Sequence, residues 1–150
     1  MTKPMKRSTS PDVPAAARGP RSEGDRIETP TIRYANVFVS DLGRAVEFFG
    51  NRLGLELQHR TDEHGYASFA AGPIRLGLAR VDPDGEHASM LGRHTGIGFA
   101  VADLVAAHRE LADKGVEFTT APQRYPWGGF MASFRDPDGN LYYLDEVEPA

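Results

Sequence analysis

From Thr31 onward, apolar and polar residues alternate and regroup in a fixed order. Tyr34-Ala35-Asn36-Val37-Phe38-Val39 alternates and is rich in β-formers, which predicts a strand. Ser40-Asp41 follows, then Leu42, Ala45, Val46, Phe49 and Leu53 at helical spacing. Asp41 suits the N-cap, because its carboxylate can accept unpaired N–H groups of the first turn. Gly54 suits the left-handed residue that closes a helix. Leu55–Arg60, Tyr66–Ala70 and Ile74–Arg80 are short and strand-like, separated by the turn signals Asp62-Glu63-His64-Gly65 and Gly72-Pro73. The predicted order is β-α-β-β-β.

The order then repeats. Ile97-Gly98-Phe99-Ala100-Val101 predicts a strand, and Asp103 caps a helix carrying Leu104, Ala107 and Leu111 that ends at Gly115. Val116–Thr119, Phe130–Phe134 and Leu141–Asp145 predict the next strands, with Asp136-Pro137-Asp138-Gly139-Asn140 as the last hairpin turn. Val39-Ser40-Asp41-Leu42 maps onto Val101-Ala102-Asp103-Leu104 at an offset of 62, and Gly54-Leu55-Glu56 onto Gly115-Val116-Glu117 at 61. This internal repeat predicts an α+β fold of two βαβββ modules. Module one spans 31–81, a linker 82–93 and module two 94–148. Asp82-Pro83-Asp84-Gly85 resembles 136–139, but it follows the last strand of its module and belongs to the linker.

Composition narrows the chemistry. At 150 residues the chain suits one domain plus a tail, without room for separate cofactor and substrate domains. It has no cysteine, which excludes a disulfide framework, a thiolate zinc site, an iron–sulfur cluster and a cysteine nucleophile. No apolar run approaches the roughly 18–20 residues that span a bilayer, so no membrane partner is expected. A net charge of −4 argues against nucleic acid as the main partner. Residues 1–30 hold five of the eleven prolines, no aromatic residue and six basic against four acidic side chains. That segment cannot bury enough apolar surface to offset its backbone entropy, which predicts a disordered tail. It reads as a solvated extension or a basic interaction arm. It lacks the apolar core of a secretory signal, so a cytoplasmic location is expected.

The strand-Asp-Leu-helix entries at 39–42 and 101–104, Gly115-Val116, Trp127-Gly128 and Phe134-Arg135-Asp136-Pro137-Asp138-Gly139-Asn140 together resemble the vicinal oxygen chelate superfamily. That family includes glyoxalase I, bleomycin resistance proteins and extradiol dioxygenases, and the resemblance covers about residues 31–148. It implies that the strands of each module curl into half of a cup of mixed sheet, helices outside, with paired modules enclosing the site. Metal-dependent members place His, Glu or Gln on the first and last strands of each module. Counting back seven residues from Asp41 and Asp103 gives Tyr34 and Gly96. The usual Glu three residues after the Asn of the last turn is Tyr143, and none of Ile74–Ala79 is a usual ligand. The resemblance therefore implies a site without the superfamily metal and without another cofactor.

Alternation assigns the faces. Ala35, Val37 and Val39 should pack on the helix, leaving Tyr34, Asn36 and Phe38 toward the cup. Likewise Ile97, Phe99 and Val101 face the helix while Gly96, Gly98 and Ala100 face the cup. Tyr143 and Asp145 share the cup face of the last strand. Tyr34, Asn36, Phe38, Trp127 and Tyr143 are thus expected to line one cavity, with Gly96 and Gly98 as its floor and Asp145 nearby. Leucine at either glycine should fill that floor and leave the fold intact. Trp127 reads as a packing residue or a stacking wall for a planar ligand. His94 reads as a displaced ligand, a base or strand-edge polarity, and Arg75 as an anion partner or a solvated side chain. His59, His64 and His87 read as surface residues, and His108 as partly buried on the second helix. Asp136 and Asp138 read as turn residues.

The leading expectation is a metal-free, homodimeric small-molecule binder of the glyoxalase or bleomycin resistance type, sequestering a planar or aromatic compound. The alternative is a lyase, isomerase or dioxygenase-like enzyme using Tyr34, His94 or Tyr143 for acid–base work. A third reading is an interaction module without ligand chemistry.

Overall fold

The computed structural model describes residues 27–147. All but the last four residues of the expected tail, and residues 148–150, lie outside the described residues.

Each half of the repeat folds as one four-stranded mixed sheet. In module one, β1 (Tyr34–Val39), α1 (Leu42–Val46, continued by a π-helical turn Glu47–Arg52), β2 (Glu56–Thr61), β3 (Tyr66–Ala71) and β4 (Ile74–Arg80) form a sheet of order β1-β4-β3-β2. In module two, β5 (His94–Val101), α2 (Leu104–Asp113), β6 (Glu117–Arg124), β7 (Phe130–Arg135) and β8 (Leu141–Glu146) form a sheet of order β5-β8-β7-β6. In both, the first strand runs parallel to the last and the other neighbours are antiparallel. The fold is α+β, with two repeated modules.

The helix starts form as their sequences dictate. Arg44 N–H donates to Asp41 Oδ1 at 2.9 Å, and Ala106 N–H donates to Asp103 Oδ1 at 3.0 Å. The first helix then departs from simple amphipathic spacing. Its second half widens, so Leu53 N–H donates to Phe48 O across five residues, and the adjacent Phe48 and Phe49 are both buried. Phe48 packs 6.3 Å from Phe134 and Phe49 packs 5.7 Å from Tyr142, so module one's helix enters the core of module two. The two modules share a single hydrophobic cluster. A fully buried side chain of this size contributes about 1.5–3 kcal/mol, so the adjacent phenylalanines bind the modules as firmly as any polar contact.

Strand parity is as the alternation requires. Val37, Val39, Tyr142 and Leu144 are buried, whereas Asn36, Gly98 and Ala100 are exposed and Tyr143 and Asp145 half-buried on the opposite, open face. Pro122 lies in β6, an edge strand, where a missing N–H costs no ladder bond.

Candidate functional site

A second set of contacts joins the modules around the Asp136–Asn140 turn. The Asp136 carboxylate accepts hydrogen bonds from the backbone N–H groups of Asp138 and Asn140, from Asn140 Nδ2 and from Tyr142 Oη. Burial raises its carboxyl above the ordinary range, against the lowering effect of these donors, and the same burial beside Asp136 pushes the Tyr142 phenol upward. Asn140 is 1% exposed. Its Nδ2 also donates to Phe38 O at 2.9 Å, and its Oδ1 accepts from Arg93 N–H at 2.9 Å. Ser40 N–H donates to Asp138 Oδ2 at 2.9 Å, with Arg44 3.7 Å from the same carboxylate. This turn therefore clamps the end of β1 against the start of β5.

At that clamp lies a cavity of about 190 Å³, lined by Asn36, Phe38, Met90, Arg93, His94 and Asn140 among others. Two of the predicted site residues, Asn36 and Phe38, line it. Asn36 Oδ1 accepts a long hydrogen bond from Tyr66 Oη at 3.4 Å over Gly77. A Cβ on Gly77 would overlap Asn36 Oδ1 and approach Tyr66 Oη to 2.5 Å, so a side chain there would displace the ends of both.

His94 links the cavity to the open face of module two. Its Nε2 lies 2.8 Å from Tyr143 Oη, with the rings edge to face at 5.2 Å. A bulge makes this contact. Between the pairs His94↔Leu141 and Gly98↔Tyr143, β5 advances four residues while β8 advances two. Gly96 sits in the bulge with φ +71, and its N–H donates to His94 Nδ1 at 3.1 Å. Leucine at Gly96, expected to leave the fold intact, therefore carries a backbone cost that strand parity alone did not show. The backbone there is left-handed, where an L side chain is strained by roughly 1–2 kcal/mol. Gly98 has ordinary backbone, and an added Cβ would stand 3.2 Å from Asp145 Oδ2.

The remaining predicted residues lie apart. Tyr34 is 53% exposed at the start of β1, in register with Arg75. Trp127 is 71% exposed on the β6–β7 hairpin, stacked on Tyr125 at 4.6 Å. Neither lines the cavity. Asp145 Oδ1 is shielded from solvent with no hydrogen-bond partner among the described residues, and burial raises this carboxyl above its ordinary value. His108 packs edge-on against Phe118 at 4.4 Å and is partly buried.

The donor set does not fit a divalent ion. Among the described residues no three His, Cys, Asp or Glu side chains converge on a point that could hold a metal. The four family positions offer two phenols, a glycine and a strand of apolar, glycine and arginine residues, where a divalent ion takes imidazole, carboxylate or other oxygen donors within about 2.0–2.6 Å.

Paired βαβββ modules with a clamped β1–β5 junction define a glyoxalase-like class. The family model described as Glyoxalase/Bleomycin resistance protein/Dioxygenase superfamily matches residues 31–143, and the chain belongs to that superfamily. It is 31% identical over 114 residues to the uncharacterized protein YraH of Bacillus subtilis, covering 70% of this chain and 89% of YraH. A superfamily member from Sphaerobacter thermophilus superposes with TM-score 0.69 at 29% identity, covering 79% of this chain and 98% of that one. A lactoylglutathione lyase from Agrobacterium tumefaciens superposes with TM-score 0.63 at 20% identity, covering 79% and 95%, and shows the shared fold. No helix among the described residues is long and apolar enough to cross a membrane.

Proposed function

We propose that the protein is a metal-free small-molecule binder that holds a planar or aromatic compound on the open face of module two, next to the β1–β5 cavity. Members of this superfamily bind small molecules. The observation that carries the reading is the His94–Tyr143 contact at 2.8 Å. Where a metal-dependent relative needs a carboxylate aimed at an ion, this chain has a phenol held by an imidazole. Asn36, Phe38, Gly98, Tyr143 and Asp145 are the proposed ligand contacts, with Gly96 shaping the bulge and Trp127 offering an exposed stacking surface.

The size of the cavity supports a homodimer. At about 190 Å³ it falls below the roughly 300–1,000 Å³ of ordinary ligand pockets. A second copy placed over the open face would complete the enclosure. We propose the cytoplasm as the place where this dimer works.

The test combines elemental analysis with equilibrium dialysis against a panel of planar aromatic compounds, with and without chelator. Metal-free protein with chelator-insensitive binding is expected. About one transition metal per chain, with binding lost on chelation, would refute the reading. The same 2.8 Å contact favours a second reading, an isomerase or lyase in which Tyr143 moves a proton. Turnover of a bound compound that Tyr143→Phe abolishes would select it.

A further inference from the structure

The polar groups around the β1–β5 cavity can be accounted for one by one. Among the described residues, the polar side chains that line it are Asn36, Arg93, His94, Thr95 and Asn140. Three of these are spent within the chain. Asn140 is taken up by Phe38 O, Asp136 Oδ2 and Arg93 N–H. Thr95 Oγ1 donates to Leu141 O at 2.6 Å and accepts from Ile97 N–H at 3.1 Å. His94 meets Gly96 N–H at Nδ1 and Tyr143 Oη at Nε2.

The two that remain offer donors. Asn36 Oδ1 accepts from Tyr66 Oη, which leaves the NH2 end of its amide without a partner among the described residues. Arg93 is exposed, and its guanidinium pairs with no carboxylate among the described residues. No Asp or Glu lines the cavity. The turn carboxylates Asp136 and Asp138 are taken up by the donors described above. A cationic donor and a neutral donor, with no competing carboxylate, make a set that holds an anion. The rest of the lining, Val37, Phe38, Met90 and Ile97, is apolar. An apolar cavity of about 150 Å³ admits benzene, so one of about 190 Å³ has room for a single ring.

We infer that the β1–β5 cavity seats a single-ring carboxylate, its ring against Phe38 and Met90 and its charge on the Arg93 guanidinium, with a hydrogen bond from Asn36 Nδ2. The inference rests on the ligand-binding reading above and adds the charge and the size of the group that enters the chain. In a larger ligand this group is one end, and the remainder lies over the open face beyond His94.

Three probes separate the terms: benzoate (ring and charge), benzamide (the same ring without the charge) and acetate (the charge without the ring). Each is titrated into the full chain as wild type, Arg93→Gln, Arg93→Lys and Asn36→Asp, and binding is read from nitrogen-15 amide shifts. Both side chains are exposed, and the backbone bond from Arg93 to Asn140 survives these changes, so the variants keep the fold, which circular dichroism checks. Benzoate should bind tightest of the three and shift the amides of Phe38, Arg93, His94 and Thr95. Arg93→Gln should weaken benzoate about three- to tenfold, as for a charged pair partly open to water, and Arg93→Lys should recover part of that loss. Asn36→Asp should also weaken benzoate, because it sets a like charge at the cavity. Benzamide can present either a donor or an acceptor, so its affinity should hold in every variant. If benzoate and benzamide bind alike and no variant separates them, or if benzoate shifts amides away from the cavity, the inference is wrong and the ligand-binding reading stands. If benzoate does not bind while a planar compound of the dialysis panel does, the inference again falls alone. If nothing binds, both fall.

Discussion

Replacing Asn140 with alanine should loosen the joint between the modules and the cavity beside it. The side chain is 1% exposed and makes three hydrogen bonds: to Phe38 O at 2.9 Å, to Asp136 Oδ2 at 2.9 Å and from Arg93 N–H at 2.9 Å. Alanine leaves Phe38 O and Arg93 N–H without this partner, while Asp136 Oδ2 keeps its bond from Tyr142. Two orphaned backbone groups at about 1–3 kcal/mol each give a loss of roughly 2–6 kcal/mol. That is a large share of the roughly 5–15 kcal/mol available to a domain. At about 4 °C per kcal/mol for a domain of this size, Tm should fall by on the order of 8–24 °C. Asn140→Asp separates the geometry from simple loss of volume. It keeps the acceptor for Arg93 but turns a carboxylate oxygen toward Phe38 O and Asp136, so at neutral pH it should be at least as unstable as the alanine variant. Urea unfolding of the three proteins measures this. A loss below about 1 kcal/mol for Asn140→Ala, the size of an ordinary surface change, would mean that the turn does not hold the modules together.

Gly77→Ala should break the Tyr66–Asn36 contact by swinging both exposed side-chain ends aside, at a cost within about 1 kcal/mol; a loss above about 3 kcal/mol in urea unfolding would show that they cannot move. Asp145 carries a carboxyl raised by burial, so its contribution favours the folded state below its ordinary value of 3.8 and is lost as pH rises through its folded value. Asp145→Asn should therefore raise Tm at neutral pH, with the gain vanishing below pH 3.8; an equal gain at every pH would refute burial as the cause. Trp127→Ala should weaken binding of a planar compound and leave stability within about 0.5 kcal/mol, as for an exposed residue. Unchanged affinity by dialysis would remove Trp127 from the site. Sedimentation at micromolar concentration should give a dimer, and a monomer that still binds would remove the second copy from the proposed enclosure.

The faces were legible in the sequence because each strand has one buried side, and a slip of one residue would expose all of Val37, Val39, Tyr142 and Leu144 at once. The helix starts were legible for a local reason, since Asp41 and Asp103 cap through bonds three residues away. The bulge in β5 was not, because it depends on the register with β8. Its one signal was the pair of glycines at 96 and 98, beside and inside a predicted strand. Without the bulge, alternation puts His94 and Gly96 on one face and hides the approach of His94 to Tyr143. The widened turn of the first helix was also hidden, although two adjacent phenylalanines on a helix that shows one face to its core were a hint. The cavity could not be read at all. It combines β1, the linker residue Met90 and the last turn, and only tertiary contact brings these together.

The pairing registers show how the two copies divide the work. Across module one, Asn36, Gly77 and Ser68 lie in one row; across module two, the row is Gly98, Tyr143 and Ser133. Each row has a buried serine on the third strand, 3% and 7% exposed, and one large residue beside one glycine. The order is reversed. Module one places its large side chain on the first strand and its glycine on the last, and module two does the opposite. The rule obeyed is steric: where Asn36 leans across, Gly77 must lack a side chain, and where Tyr143 and Asp145 stand, Gly98 keeps them clear. The family ligand positions Tyr34 and Gly96 stand two residues before Asn36 and Gly98, outside these rows. The exchange leaves a phenol and a carboxylate on the open face of module two and an amide on that of module one. On the proposed reading these are the groups that grip the planar ligand by hydrogen bonds.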